Sequence, residues 1–447
     1  AADDEVFGRA MEGARNDLSE ADWPVLESLQ RWLGGDNWRT RPYGRSRKLL
    51  KRACVRFQQL TSPTAAKAVE DTAFYRYGAL LSRNDVGFDA ERFSAPAQVF
   101  HQTCAERLLH FPDTLLATAT HDHKRGEDCR ARLAVISEKS ADYARCIARW
   151  RPMASTLRGH REGPSAGDEL LLYQILLSTW PLTLSPDDPH GLAHYNERVW
   201  QWQLKALREA KLDTQWAAPN EAYEQAVQAF IEQLLLHPQG AALRAEIHAF
   251  SEQLAPAGAL NSLVQCVLKL TTPGVPDLYQ GTEFWDFSLV DPDNRRPVDF
   301  ALRQQQLDIH APAPALLDDW RSGAIKQAVI ARTLAMRAEH PVLFARGRYQ
   351  PLHVTGPHAD RVLAFAREWQ GQWVVVVAPR LSAPLLQNSA LPLINPREWT
   401  DTRLELPFDG TEHKLNGLFA HPVVTNNKAI RVSDALGSFP VNLMITT

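Results

Sequence analysis

The sequence predicts a chain of α/β, barrel-derived type. C-terminal barrel strands with large, mainly helical insertions come first, and an antiparallel β-sandwich domain follows. Three observations predict it. Apolar residues recur at helical spacing through most of the first 340 positions. Two short apolar runs, at 114–120 and 274–280, lack that period, and each ends in a polar cluster. Beyond Pro341 the period switches to two.

Residues 1–110 read as a helical region. Ser19-Glu20-Ala21-Asp22 has the form of a helix start with an acidic first turn, and Trp23, Leu26, Leu29, Trp32 and Leu33 fall on one face. Basic residues crowd the stretch from Arg39 to Arg56. That run reads as a solvated helix face, with anion binding as the alternative. Residues 111–340 read as barrel-type strands with a helical insertion. Thr114-Leu115-Leu116-Ala117-Thr118-Ala119-Thr120 runs straight into His121-Asp122-His123-Lys124-Arg125, which is how a barrel strand delivers residues to its rim. Helical patterns fill 128–270, broken at the Gly- and Pro-containing joints 159–167 and 181–189. The second strand, Gly274 to Gln280, ends at Gly281-Thr282-Glu283, and a helix follows over 324–340. Residues 341–447 read as an antiparallel β domain, with strands at 362–368, 372–378, 403–406 and 441–446.

Composition narrows the function. The chain has 447 residues, with 49 Lys plus Arg against 52 Asp plus Glu, a net charge of −3. Nothing there attracts nucleic acid or an anionic membrane, and no apolar run is long enough to span a bilayer. The 5 cysteines are scattered and never form a Cys-x-x-Cys pair. A reducing, cytoplasmic setting is therefore expected, without disulfides or structural zinc. Ala1-Ala2-Asp3-Asp4 shows neither signal-peptide character nor an initiating Met, so the sequence reads as other than a raw translation product. The 13 tryptophans suit sugar-stacking platforms and helical cores equally.

The segment from Thr118 to Arg125 is the strongest chemical constellation. A carboxylate and an imidazole side by side at a strand end can share one pocket, with basic neighbours holding the carboxylate ionised. Glycoside chemistry needs such a carboxylate because its transition state is cationic. The plainer alternative is a surface loop in which His121-Asp122 caps the next helix. His121-x-His123 also invites a metal, but no third ligand has suitable spacing. Neither metal nor cofactor is expected.

Several longer strings are more specific. They include Val69-Glu70-Asp71-Thr72-Ala73-Phe74-Tyr75-Arg76-Tyr77, Ala119-Thr120-His121-Asp122 with Lys124-Arg125-Gly126-Glu127-Asp128, and the run from Phe284 to Asp299. With Arg56-Phe57-Gln58-Gln59, Tyr173-Gln174, Trp180-Pro181-Leu182 and the run from Lys205 to Lys211, these resemble the maltooligosyltrehalose synthase family of the α-amylase superfamily (glycoside hydrolase family 13). The resemblance covers most of the chain. It implies intramolecular transglucosylation, turning the reducing-end α-1,4 linkage of a maltooligosaccharide into an α,α-1,1 linkage by a retaining mechanism. Asp122 matches the third carboxylate of that chemistry, and His121 the adjacent sugar-binding histidine. Lys67, Glu70, Asp71, Tyr75 and Arg76 are candidates for the reducing-end pocket, and Lys124, Arg125 and Glu283 for further hydrogen bonds to sugar. An intrahelical ion-pair set is the alternative for Glu70, Asp71 and Arg76.

The family's nucleophile and general acid have no counterpart here. By resemblance the chain holds the last two strands of the (β/α)8 barrel, as the C-terminal part of the enzyme. The expected partners are a maltooligosaccharide and the missing N-terminal segment. The alternatives are a non-catalytic α-glucan-binding fragment and an amylase-like hydrolase. His123 stands where the family usually has Thr.

Overall fold

A computed structural model describes residues 2–446, apart from 90, 309, 388, 409–412 and 426–427. The chain divides into two compact units, Ala1–Ala73 and Phe74–Thr447. This differs from the sequence-based division at 110/111 and 340/341. The difference arises because the insertion helices and the β strands share apolar clusters.

In the first unit the main helices are Ala2–Asp17, Trp23–Leu33 and Arg45–Val69. Trp23–Leu33 is the expected amphipathic helix, opened by Pro24 in its first turn. Its Val25, Leu29 and Trp32 remain exposed. The basic run lies mostly exposed on the third helix and just before it, with Arg47 and Lys51 at 5.9 and 5.4 Å from the Trp38 ring.

In the second unit, β1 (Leu115–Leu116) and β2 (Val275–Pro276) form a parallel pair, Leu115 beside Val275. Both are far shorter than their apolar runs suggest. Val275 N–H donates to Thr114 O and Asp277 N–H to Leu116 O. Beyond them side chains take backbone groups that could extend the ladder: Arg130 donates to Thr118 O, and His123 Nδ1 accepts Thr120 N–H.

Around this pair stand the insertion helices Glu127–Ala134, Ser140–Arg158, Ala166–Thr179, Pro189–Ala210, Glu221–Leu235 and Ala241–Thr271. Two of the breaks between them fall at the Gly- and Pro-containing joints, and others fall at 135–139, 211–220 and 236–240. Ser165, Asp188 and Asn220 cap the third, fourth and fifth of these helices through their side chains. Helix Ala241–Thr271 runs through the middle and is buried along most of its length. Gly258 permits its contact with the site-bearing helix, since a Cβ there would lie 2.9 Å from Arg132 Cα. Trp150, Trp180 and Trp202 are fully buried here, so these tryptophans serve the core.

The C-terminal strands form two antiparallel sheets. Six strands run in the order β3-β5-β6-β11-β8-β9 and three in the order β10-β7-β4. Here β3 is Arg348–Pro351, β4 Val354–Thr355, β5 Val362–Trp369, β6 Gln372–Pro379, β7 Arg403–Glu405, β8 His413–Gly417, β9 Val423–Thr425, β10 Ala429–Arg431 and β11 Asn442–Thr446. Residues 341–346 are a helix, so the β region starts a few residues late. The β5–β6 hairpin turns on Gln370-Gly371, both at positive φ, as a tight turn of this hand requires. Alternation then sorts Val374 and Val376 toward the helices and Val375 and Val377 toward Leu404 and Ile430 of the smaller sheet.

One charged side chain joins sheet to helices. Arg367 on β5 is fully buried and donates to the carbonyls of Thr271, Phe344 and Gly347 at 2.9–3.3 Å. Burial lowers its pKa to about 10, so it stays charged at neutral pH. Arg367→Met should leave these buried carbonyls without donors and cost on the order of 3 kcal/mol in urea unfolding. Arg367→Lys should recover little, because one ammonium cannot reproduce the planar fork.

Candidate active site

The site is built on the turn between β1 and helix Glu127–Ala134. His121 is exposed, Asp122 has a half-exposed side chain, and the next eight residues are buried. What bends a charged segment into the interior is Asp85. Its carboxylate has no exposure and accepts the backbone N–H groups of Lys124 at 3.1 Å and Arg125 at 3.2 Å. It also faces Arg130 at 3.7 Å and His123 Nε2 at 3.9 Å. The segment carrying Asp85 is itself pinned. Gln174 on helix Ala166–Thr179 donates to Gly78 O and accepts from Leu81 N–H, while Asn84 donates to the carbonyls of Phe74 and Tyr77.

Inside the turn, Thr120 N–H donates to His123 Nδ1 at 2.6 Å, and Asp122 N–H donates to the Thr120 hydroxyl at 3.3 Å. Lys124 Nζ lies 3.8 Å from Asp122 Oδ1. Burial, with Arg130 close by, pulls His123 below its ordinary 6.5, against Asp85. Burial likewise lowers Arg125, whose guanidinium donates to Asn84 O at 2.8 Å.

Behind the turn lies a buried ion cluster. Lys326 Nζ meets Glu127 at 2.7 Å and Asp128 at 2.8 Å, and Lys269 Nζ is 3.6 Å from Glu127. Burial pushes Glu127 up, but Lys326 and Lys269 overcome it and hold the carboxyl at about 2. Burial raises Asp128, with the neighbouring Glu127 adding to it. The cluster also binds backbone, because Asp286 N–H donates to Asp128 and Lys326 to Phe284 O.

The second wall is the segment 284–299. It docks on the turn through Gly126 N–H to Ser288 O and Val290 N–H to Lys124 O. A Cβ at Gly126 would sit 2.5 Å from Asp286 O, so glycine permits this approach. Arg198 clamps Asp293 with two bonds at 2.9 and 3.0 Å, and Lys205 holds Asp291 at 2.5 Å. Burial works against the charge of Asp293, yet Arg198 holds its pKa low. Asn294 donates to His121 O at 2.9 Å. Between turn and wall opens a cavity of about 290 Å³ lined by Thr120, His123, Trp285, Asp286, Asn294 and Arg296 among others.

The sequence-predicted residues divide sharply. His121 and Asp122 stand on the turn beyond β1, which ends at Leu116, with Lys124 reaching toward Asp122. Arg125 is a correction, since its guanidinium is committed to Asn84 O inside the protein. Glu283 is partly exposed and pairs with Arg303 at 3.1 Å. Tyr75 packs in the hydrophobic core, and Arg76 Nε donates to Ala210 O at a helix C-terminus. Lys67, Glu70 and Asp71 lie in the first unit, where Lys67 pairs with Asp71. The long helix there ends at Val69 with Glu70 as its cap, so no intrahelical ion-pair set runs through Arg76. His121 and His123 do not share a face, one being exposed and the other buried. Asp85, Asn294, Arg296 and Lys326 escape sequence reasoning. Asp85 sits in a turn-like Asn84-Asp85-Val86-Gly87 string, and its partners are about 40 positions away.

Asp85→Asn keeps the shape but removes the charge and turns one acceptor into a donor facing backbone N–H groups. A loss of about 2–4 kcal/mol is expected in urea unfolding. Asp85→Glu should not restore it.

No protein-family model matches the chain. A Mycobacterium tuberculosis H37Rv protein, provisionally named a maltooligosyl trehalose synthase, is 36% identical over 367 residues, which is 82% of this chain and 43% of that protein. The solved maltooligosyltrehalose synthase from Arthrobacter ramosus is 30% identical with a TM-score of 0.76, covering 99% of this chain and 51% of that one. A hypothetical maltooligosyl trehalose synthase from Sulfolobus tokodaii, at 24% identity and a TM-score of 0.68 over 97% of this chain and 55% of that one, adds likeness of fold alone. By sequence over most of its length and by fold over nearly all of it, the chain is homologous to the maltooligosyltrehalose synthases, of whose length it spans about half.

Proposed function

We propose that the chain is part of an intramolecular transglucosylase that converts the reducing-end α-1,4 linkage of a maltooligosaccharide into an α,α-1,1 linkage, in trehalose formation in the cytoplasm. The observation that carries the reading is the half-exposed Asp122 carboxylate, held on a turn whose backbone is tied to the buried Asp85. Retaining glycoside chemistry passes through a cationic, oxocarbenium-like state. A carboxylate fixed in advance stabilises that charge without reorganising when it develops. Lys124, at 3.8 Å, orients the carboxylate. The exposed His121 is the adjacent sugar contact, and Thr120, Asn294 and Arg296 offer hydroxyl, amide and guanidinium groups at the cavity beside it.

β1 and β2 are the last two strands of a (β/α)8 barrel, and the two C-terminal sheets form a β-sandwich. What supports the first is their parallel pairing, with His121-Asp122 on the turn that follows β1. What supports the second is the apolar cluster shared by both sheets. The nucleophile and general acid come from the part of the relatives' length that this chain does not match. The chain alone therefore acts as an α-glucan-binding piece. No helix among the described residues is long and apolar enough to cross a membrane.

Two measurements test the reading. In the full-length enzyme acting on maltopentaose, reducing ends should fall without release of glucose, and stoichiometric glucose would favour the amylase-like hydrolase instead. Asp122→Asn in that enzyme should lower turnover by about 100-fold or more while leaving the melting temperature unchanged. Near-normal turnover would remove Asp122 from the mechanism.

A further inference from the structure

His123 is buried, lines the cavity beside Asp122, and has a role that the transglucosylase reading does not supply. Its Nδ1 accepts Thr120 N–H at 2.6 Å and lies 3.0 Å from the Thr120 hydroxyl. That hydroxyl in turn accepts Asp122 N–H at 3.3 Å. The other ring nitrogen is 3.9 Å from the Asp85 carboxylate that holds Lys124 and Arg125. A nitrogen that accepts a backbone N–H carries no proton, so this geometry requires the neutral Nε2–H tautomer.

We propose that His123 is a positioning residue for Asp122. The neutral imidazole closes the Thr120–His123 turn and so aims the Asp122 carboxylate, and protonating the ring opens the turn and releases that carboxylate. A proton on Nδ1 would face the Thr120 N–H across 2.6 Å, donor against donor, inside a buried site. The charged groups around the ring pull in both directions. Asp85 favours the protonated form, as does Glu127 behind the turn, while Arg130 opposes it. Lys124 and Asp122 flank it on its own segment, and Asp286 and Arg296 stand on the facing wall of the cavity. Burial and Arg130 prevail, so the ring is neutral at physiological pH and gains its proton only below the ordinary value of 6.5. The sign follows. The turn is fully formed above that value and is lost as pH falls through the lower pKa of the folded state. Sugar affinity at Asp122 should follow the same curve, a consequence that rests on the maltooligosaccharide reading above.

The test combines nitrogen NMR of the ring with calorimetric titration of maltopentaose between about pH 5 and 8. The wild-type chain should show an unprotonated Nδ1 at pH 7, assigned by its loss in a His123 variant. Its affinity should fall about tenfold or more across the acid titration of that ring. His123→Asn places an acceptor oxygen near the Nδ1 position with no proton to gain. It should keep the neutral-pH affinity within about threefold and lose the acid dependence, whereas His123→Phe should bind about tenfold more weakly at every pH. A protonated Nδ1 at pH 7, or the same acid loss in His123→Asn, would overturn the proposal. Absence of any maltopentaose heat in the wild type would instead sink the sugar-binding reading. In that case the ring tautomer and the exchange rate of the Thr120 amide, both read without sugar, still decide whether His123 holds the turn.

Discussion

A single buried carboxylate decides the shape of this site. Asp85 has no solvent exposure, and its two oxygens receive the backbone N–H groups of Lys124 and Arg125. Buried backbone donors must find acceptors, and a buried charge must be paired or hydrogen-bonded. Each condition meets the other here. The turn after β1 can then run inward with Lys124 and Arg125 buried, while His121 and Asp122 remain at its outer edge. Without that acceptor, two charged residues in succession would have no reason to enter the core.

The surrounding structure reads as support for this arrangement at increasing distance. Gln174 and Asn84 fix the strand of chain that brings Asp85 into place. The cluster of Glu127, Asp128, Lys269 and Lys326 sets two carboxyl groups against two ammonium groups and binds the start of the facing segment. Such clusters contribute little net stability against an apolar equivalent, because desolvation offsets most of the attraction. Their value is directional: they fix the position of Phe284 and Asp286 relative to the turn. Arg198 and Lys205 secure the same segment from helix Pro189–Ala210 through Asp293 and Asp291. Charged residues scattered over distant motif strings thus converge on two stretches of backbone.

How legible this was in the sequence follows the range of the interactions. Period-two alternation placed β5, β6, β7 and β11 to within a residue or two, because alternation is a local property of the chain. The joints at 159–167 and 181–189 likewise mark real helix breaks. The barrel-type strands came out as two residues each, since side chains of Arg130 and His123 take backbone groups that could extend the ladder, and no local pattern encodes that competition. At the site, His121 and Asp122 were readable as an adjacent pair beyond an apolar run. Arg125 was expected to meet sugar by resemblance, whereas it is buried and donates to Asn84 O, about 40 positions away. Asp85 and Lys326 act across about 40 and 200 positions, beyond the reach of any motif.

Function in this arrangement depends on a carboxylate held ready before any sugar arrives, so the rigidity of the turn is the central physical claim. Hydrogen exchange at the Lys124 and Arg125 amides measures it directly. If Asp85 holds the turn, both amides exchange as slowly as those in the buried helix Ala241–Thr271, and Asp85→Asn accelerates them selectively. Exchange at the rate of an exposed loop in the wild type would contradict the account, because Asp122 would then sit on a mobile segment.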